Sequence, residues 1–141
     1  MLKILFISGV KFGYDLLSYV LEKDWKISGI ISYSSDLKKN YSDYADFDTL
    51  AKKYGIANKK VKKINDEENI EFIKKLNPDL ILVMGWSQLL SSDIIKIPKI
   101  GIIGSHPTEL PKYRGRAPIP WTIIKELKNS ALSFFLHTGR S

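Results

Sequence analysis

The chain has 141 residues, the length of one domain. Its 44% hydrophobic and 26% charged content is that of a globular protein, and the lack of cysteine excludes a disulfide framework, a thiolate metal site and a cysteine nucleophile. The formal net charge of +7 fits a negatively charged partner such as nucleic acid, a nucleotide or a polyanionic cofactor, although Lys59, Lys60, Lys62 and Lys63 read more simply as a solvated face.

The opening MLKILFISG holds too short an apolar run for a signal peptide or a membrane span, so a cytoplasmic protein is expected. For the same reason the glycosylation sequon Asn40-Tyr41-Ser42 is discounted. Leu2 to Ser8 reads as a buried strand ending at Gly9. Phe12 to Lys23 carries Leu16, Leu17, Tyr19, Val20 and Leu21 at helical spacing. Trp25 to Tyr33 reads as a second strand, and residues 34–45 as a loop without apolar period. Asp46 is expected to cap a short helix through Tyr54 that Gly55 stops. Val61 to Ile64 reads as a short strand. Asn65 with Glu68 three residues on forms an N-cap pair for a helix reaching Leu76, and Asn77-Pro78 ends it.

Asp79 to Met84 (DLILVM) shows no polar alternation, which is the pattern of a strand buried on both faces. Ser91 is expected to cap a short helix that Pro98 closes. Ile100 to Gly104 is the next strand, followed by a Pro-rich loop, a helix from about Pro118 to Leu127 and a last strand from Ala131 to His137. Alternating strands and helices predict an α/β fold: an open Rossmann-like parallel sheet with helices on both faces. In such sheets ligands sit beyond the carboxyl ends of the strands. Three loops leave those ends: Gly9 to Phe12, Gly85 to Leu90, and Ser105 to Pro118. No internal repeat, low-complexity segment or domain boundary is visible.

The first turn, GVKFG, matches neither GxGxxG nor GxxxxGK[ST], so a dinucleotide site is poorly supported. Gly9 reads as a strand-to-helix turn or as a point where a ligand nears the backbone, with Lys11 beside it. His106, directly after a strand and before Pro107, stands where chemistry is expected. His137, inside a strand, reads as structural, and two histidines so far apart give no metal site. Pro107, Pro111, Pro118 and Pro120 stiffen the loop. Lys112, Arg114 and Arg116 either pair with phosphates or carboxylates or tie the loop to carbonyls. Trp86 and Gln88 either line a pocket for a flat ring or, for Trp86, pack in the core.

Together these residues resemble the catalytic domain of the N10-formyltetrahydrofolate-dependent formyltransferases. HPTELPKYRGRAPIPW, residues 106–121, looks like the family's HxSLLPxxRGxxP signature followed by its Trp-bearing helix. PDLILVMGWSQLL, residues 78–90, looks like the family's strand and folate-side loop. The resemblance covers nearly the whole chain, and the wording KYRGRAPI is most similar to the sugar N-formyltransferases. It implies transfer of a formyl group from N10-formyltetrahydrofolate to the amine of a nucleotide-linked amino sugar, through a tetrahedral oxyanion. It implies Met84, Gly85, Trp86, Gln88, Leu89 and Leu90 on the donor side, and Gly9, Lys11, Lys112, Arg114 and Arg116 on the acceptor side. His106 matches the family histidine, suited to proton transfer or oxyanion contact.

Two positions depart from the pattern. The family asparagine lies two residues before the histidine, where this chain has Gly104. The family aspartate follows the last strand in G-x-D-x-G, where this chain has Ser141, its final residue. The sequence thus reads as an incomplete, C-terminally truncated N-terminal catalytic domain over residues 1–141, expected to fold and to turn over little. Three alternatives remain at this stage. Methionyl-tRNA formyltransferase is mildly favoured by the positive charge. Glycinamide ribonucleotide formyltransferase shares fold and donor. A non-catalytic folate- or nucleotide-binding fragment is the third. The resemblance implies no metal and no membrane, makes a nucleic-acid partner secondary, and leaves a homodimer open.

Overall fold

The computed structural model describes residues 2–104. Among these residues, five strands alternate with four α-helices: β1 Ile4–Ile7, α1 Lys11–Glu22, β2 Gly29–Tyr33, α2 Asp48–Tyr54, β3 Asn58–Val61, α3 Glu67–Leu76, β4 Leu80–Val83, α4 Ser92–Ile95 and β5 Gly101–Gly104. The strands form one parallel sheet in the order β3-β2-β1-β4-β5. The expected open, Rossmann-like α/β sheet is therefore present.

The pleat sorts the apolar residues between two layers. Ile4 and Phe6 of β1, with Leu80 and Leu82 of β4, join Leu16, Leu17 and Val20 of α1 and Leu50 of α2. Leu5 and Ile7, with Ile81 and Val83, join Ile73 of α3 and Ile94 of α4 on the opposite face. β1 and β4 are buried along their whole length, which explains why neither shows polar alternation. Each fully buried Leu or Ile contributes about 1.5–3 kcal/mol of transfer free energy.

The order of the strands also fixes where a site can form. From β1 the chain builds outward through β2 to β3, with α1 and α2 on one layer. It then crosses with α3 on the other layer to β4, on the far side of β1. The direction of building reverses between β1 and β4. Their carboxyl ends flank the crevice that ligands use in open α/β sheets.

Several local expectations shift. The second strand starts at Gly29 rather than Trp25. Asp24, with φ of 67°, turns the chain out of α1, and pairing with β1 begins at Leu5 opposite Gly29. Residues 34–45 are not all irregular: Ser35–Asn40 is a 3₁₀ helix, capped by Ser34 Oγ accepting the Asp36 N–H. The third strand is Asn58–Val61, not Val61–Ile64. Its lysines conceal it, because this edge strand carries Lys59 and Lys60 with half-buried stems and paired heads. The Asp46 carboxylate accepts the Asp48 N–H, although Phe47 occupies the cap position of α2, and Gly55 ends the helix at φ of 66°. α3 is entered at Asp66 with no side-chain cap; Asn65 is engaged elsewhere. Ser91 holds the N-cap position of α4, but its hydroxyl makes no cap bond. The helix at 118–127 and the strand at 131–137 lie outside the described residues.

Two outcomes follow from this packing. Ile81→Ala removes a fully buried side chain and is expected to cost about 2–5 kcal/mol in urea unfolding, whereas exposed Leu89→Ala stays within about 0.5 kcal/mol. At low pH, Asp48 is the group to watch. The Lys60 ammonium at 2.6 Å and the Asn58 amide hold its carboxyl below the usual range. A depressed carboxylate stabilises the fold above its unfolded pKa of about 3.9 and loses that contribution as pH falls through the folded value. Asp48→Asn should therefore flatten the decline in unfolding midpoint below about pH 4.

Candidate functional site

The loop from Gly85 to Ser91 leaves β4 at the reversal point. Gly85 turns it with φ of 63°, a left-handed conformation that suits glycine. A side chain there would also meet Val10 Cγ2 of the β1 loop at 2.7 Å and approach Phe12 in the first turn of α1. The β1 and β4 loops thus touch at the mouth of the crevice.

Beneath this loop lies an aromatic stack. Trp86 is wholly buried, and Tyr33 lies parallel to it with ring centroids 4.1 Å apart. Tyr41 covers the other face of Tyr33 at 4.4 Å. The stack also reaches Gly9, where a Cβ would overlap the Tyr33 ring. The close approach at Gly9 is made by that ring. The Tyr33 hydroxyl accepts the Ser87 N–H at 2.9 Å and bonds the Ser87 hydroxyl, which also meets the Tyr41 hydroxyl. Burial pushes the Tyr33 phenol well above its ordinary range, so it stays a neutral hydrogen-bonding group.

A second set of contacts holds the outer part of the loop. Gln88 Oε1 accepts the Ile64 N–H at 2.8 Å, and Gln88 Nε2 donates to the Lys62 carbonyl at 2.7 Å. Asn65 Nδ2 donates to the Leu89 carbonyl, and Asn65 Oδ1 accepts the Ser91 N–H.

The residues singled out from sequence divide accordingly. Met84, Trp86 and Leu90 are core residues. Trp86 presents no open ring face, and its indole N–H has no partner among the described residues. The Gln88 amide is spent on the main chain. Leu89, 55% exposed, and Ser87 are the exposed residues of the loop. Lys11 begins α1 and pairs with Asp15 at 3.2 Å. Gly104 closes β5 opposite Val83, one strand from the Gly85 turn. His106, Lys112, Arg114, Arg116 and Ser141 lie outside the described residues, as does His137. The loop contacts of Tyr33, Asn65 and Ser87 were not visible in the sequence. Only the position of Tyr33, last in its strand, hinted at a role at the carboxyl edge.

Residues 2–131 match the family model described as formyl transferase. The chain belongs to the formyl transferase family. Relatives include a methionyl-tRNA formyltransferase of Clostridioides difficile (strain 630), 33% identical over 98% of this chain and 46% of that protein. Another methionyl-tRNA formyltransferase, of Clostridium tetani (strain Massachusetts / E88), is 50% identical over 53% of this chain and 24% of its own length. The bifunctional polymyxin resistance protein ArnA of Wigglesworthia glossinidia brevipalpis is 30% identical over 99% of this chain and 21% of that protein. The chain spans less than half the length of each of these relatives. The crystal structure of phosphoribosylglycinamide formyltransferase from Streptococcus pneumoniae TIGR4 is similar with a TM-score of 0.53, over 76% of this chain and 57% of that one. At 16% identity that likeness shows the fold.

The buried phenol gives a spectroscopic prediction. Of seven tyrosines, Tyr33 should form the most resistant fraction in an ultraviolet pH titration, persisting until the fold opens, beyond Tyr44, whose phenol is also raised by burial. A phenol raised above its unfolded value near 10 stabilises the fold below that pH and loses the contribution as pH rises. Tyr33→Phe should remove the resistant fraction.

Proposed function

We propose that this chain is the donor-binding part of a formyltransferase that uses N10-formyltetrahydrofolate. The observation that carries the reading is the Gly85–Ser91 loop, held in a fixed shape beside the β1 turn where the sheet reverses. Family membership supplies the chemistry. Trp86 is buried, so the residues of the loop that a flat donor ring would meet are the exposed Ser87 and Leu89. Transfer forms a bond from the acceptor nitrogen to the formyl carbon and breaks the bond to N10. One proton leaves the acceptor amine and one is delivered to N10. We assign that proton traffic to His106, with the Gly104 backbone N–H near the developing oxyanion and Ser141 at the place of the family aspartate.

For the acceptor we propose a nucleotide-linked amino sugar, following the KYRGRAPI wording of residues 112–119. Lys112, Arg114 and Arg116 are the proposed partners of its phosphates, with Gly9 and Lys11 at the acceptor side of the β1 turn. A cavity of about 610 Å³ beside Tyr41 has Lys38, Lys39 and Asp36 in its wall, with one more cation than anion toward an anionic acceptor. The second reading is methionyl-tRNA, supported by the names of the C. difficile and C. tetani relatives. Either acceptor would place the reaction in the cytoplasm. Among the described residues no helix is long and apolar enough to cross a membrane.

Calorimetric titration separates these readings. The chain should bind 5-formyltetrahydrofolate, a stable isomer of the donor, and then a UDP- or dTDP-linked amino sugar. Absence of donor binding would overturn the proposal. Tight binding of methionyl-tRNA that weakens steeply with salt, without sugar binding, would replace the sugar by the second reading.

A further inference from the structure

Two primary amides stitch the β4 loop to the segment that joins β3 to α3. Gln88 projects from the loop and pairs with Lys62 and Ile64, one bond accepted and one donated. Asn65 projects the opposite way and pairs with Leu89 and Ser91, again one accepted and one donated. Each side chain therefore acts as a peptide group would in a sheet ladder, at distances of 2.7, 2.8, 2.9 and 3.0 Å. The two segments have no ladder of their own. The clasp takes up the Leu89 carbonyl and leaves the Leu89 side chain exposed.

We infer that Asn65 and Gln88 are positioning residues for the formyl-donor site, fixing the main chain of residues 88–91 in the shape that receives the donor. The inference rests on the donor reading given above. Neither residue belongs to the buried core: Asn65 is exposed and Gln88 half-buried. The stretch they hold lies between β4 and α4, outside any strand or helix. Losing the clasp therefore loosens the loop locally while the two apolar layers stay packed. A binding loop that must be ordered on each encounter binds more weakly, because the ordering is charged against affinity.

The test compares three variants of the 141-residue chain. Asn65→Ala and Gln88→Ala each remove two side-chain hydrogen bonds of the clasp. Asn58→Ala also removes two, one to Ser32 and one to Asp48, on β3 and away from the loop. Urea midpoints are measured together with calorimetric affinity for 5-formyltetrahydrofolate. Asn65→Ala and Gln88→Ala should weaken binding by about tenfold, the scale of one lost hydrogen bond. Asn58→Ala should lower the midpoint while affinity stays within about twofold of the unaltered chain. Unchanged affinity in both clasp variants overturns the inference but leaves the donor reading standing. Equal weakening in Asn58→Ala also overturns it, because the effect is then general stability. If the unaltered chain binds no donor, the reading fails and the inference fails with it.

Discussion

β1 and β4 lie side by side over four residue pairs, from Ile4 with Leu80 to Ile7 with Val83, and both are closed to water on their two faces. Everything at the site depends on that pairing. It joins the two halves of the sheet, one built outward through β2 and β3 and the other through β5. It also brings two loops together that are about 75 residues apart in sequence. They meet at Gly85, where an added Cβ would fall 2.7 Å from Val10 Cγ2. A charged or small residue in either strand would cost core free energy and would also separate the two walls of the crevice.

From that anchor the site is shaped by side chains that hold main chain. Tyr33 takes the Ser87 N–H, Gln88 takes Ile64 and Lys62, and Asn65 takes Leu89 and Ser91. An irregular loop at a sheet edge has no ladder to satisfy its polar groups, so something else must bond them. Here the bonds come from β2 and from the connection before α3. The aromatic stack of Trp86, Tyr33 and Tyr41 supports the loop from below. The loop that the sequence presented as a pocket wall is thus partly a floor: Trp86 and Leu90 are buried, and Ser87 and Leu89 are exposed.

Sheet topology was legible in the sequence where burial is two-sided. LKILFIS read as a buried strand and DLILVM as a strand buried on both faces, and a parallel sheet followed from the alternation with helices. β3 was misplaced by three residues because an edge strand tolerates lysines, and Lys59 and Lys60 hide a strand that pairs from Ile30 to Tyr33. Asn65 looked like a helix cap, since the local pattern Asn-x-x-Glu is a cap pattern. Its tertiary partners lie 24 and 26 residues away, beyond any local window. Ser87 and Tyr33 are 54 residues apart, and no spacing rule joins them. The turn at Gly85 was legible as a strand end, but its contact with Val10 required the fold. His106 and the basic loop were read from motif alone, and the described residues end two positions before that histidine.

The central claim is that the donor sits against the β4 loop. The most direct test is an amide-resolved NMR titration of the isotope-labelled chain with 5-formyltetrahydrofolate. The account predicts that the largest shifts fall on the amides from Gly85 to Leu90 and on their clasp partners Ile64 and Ser91. Shifts confined to Ser35–Ser42 and Tyr44, or to the β3 edge at Asn58–Val61, would contradict it.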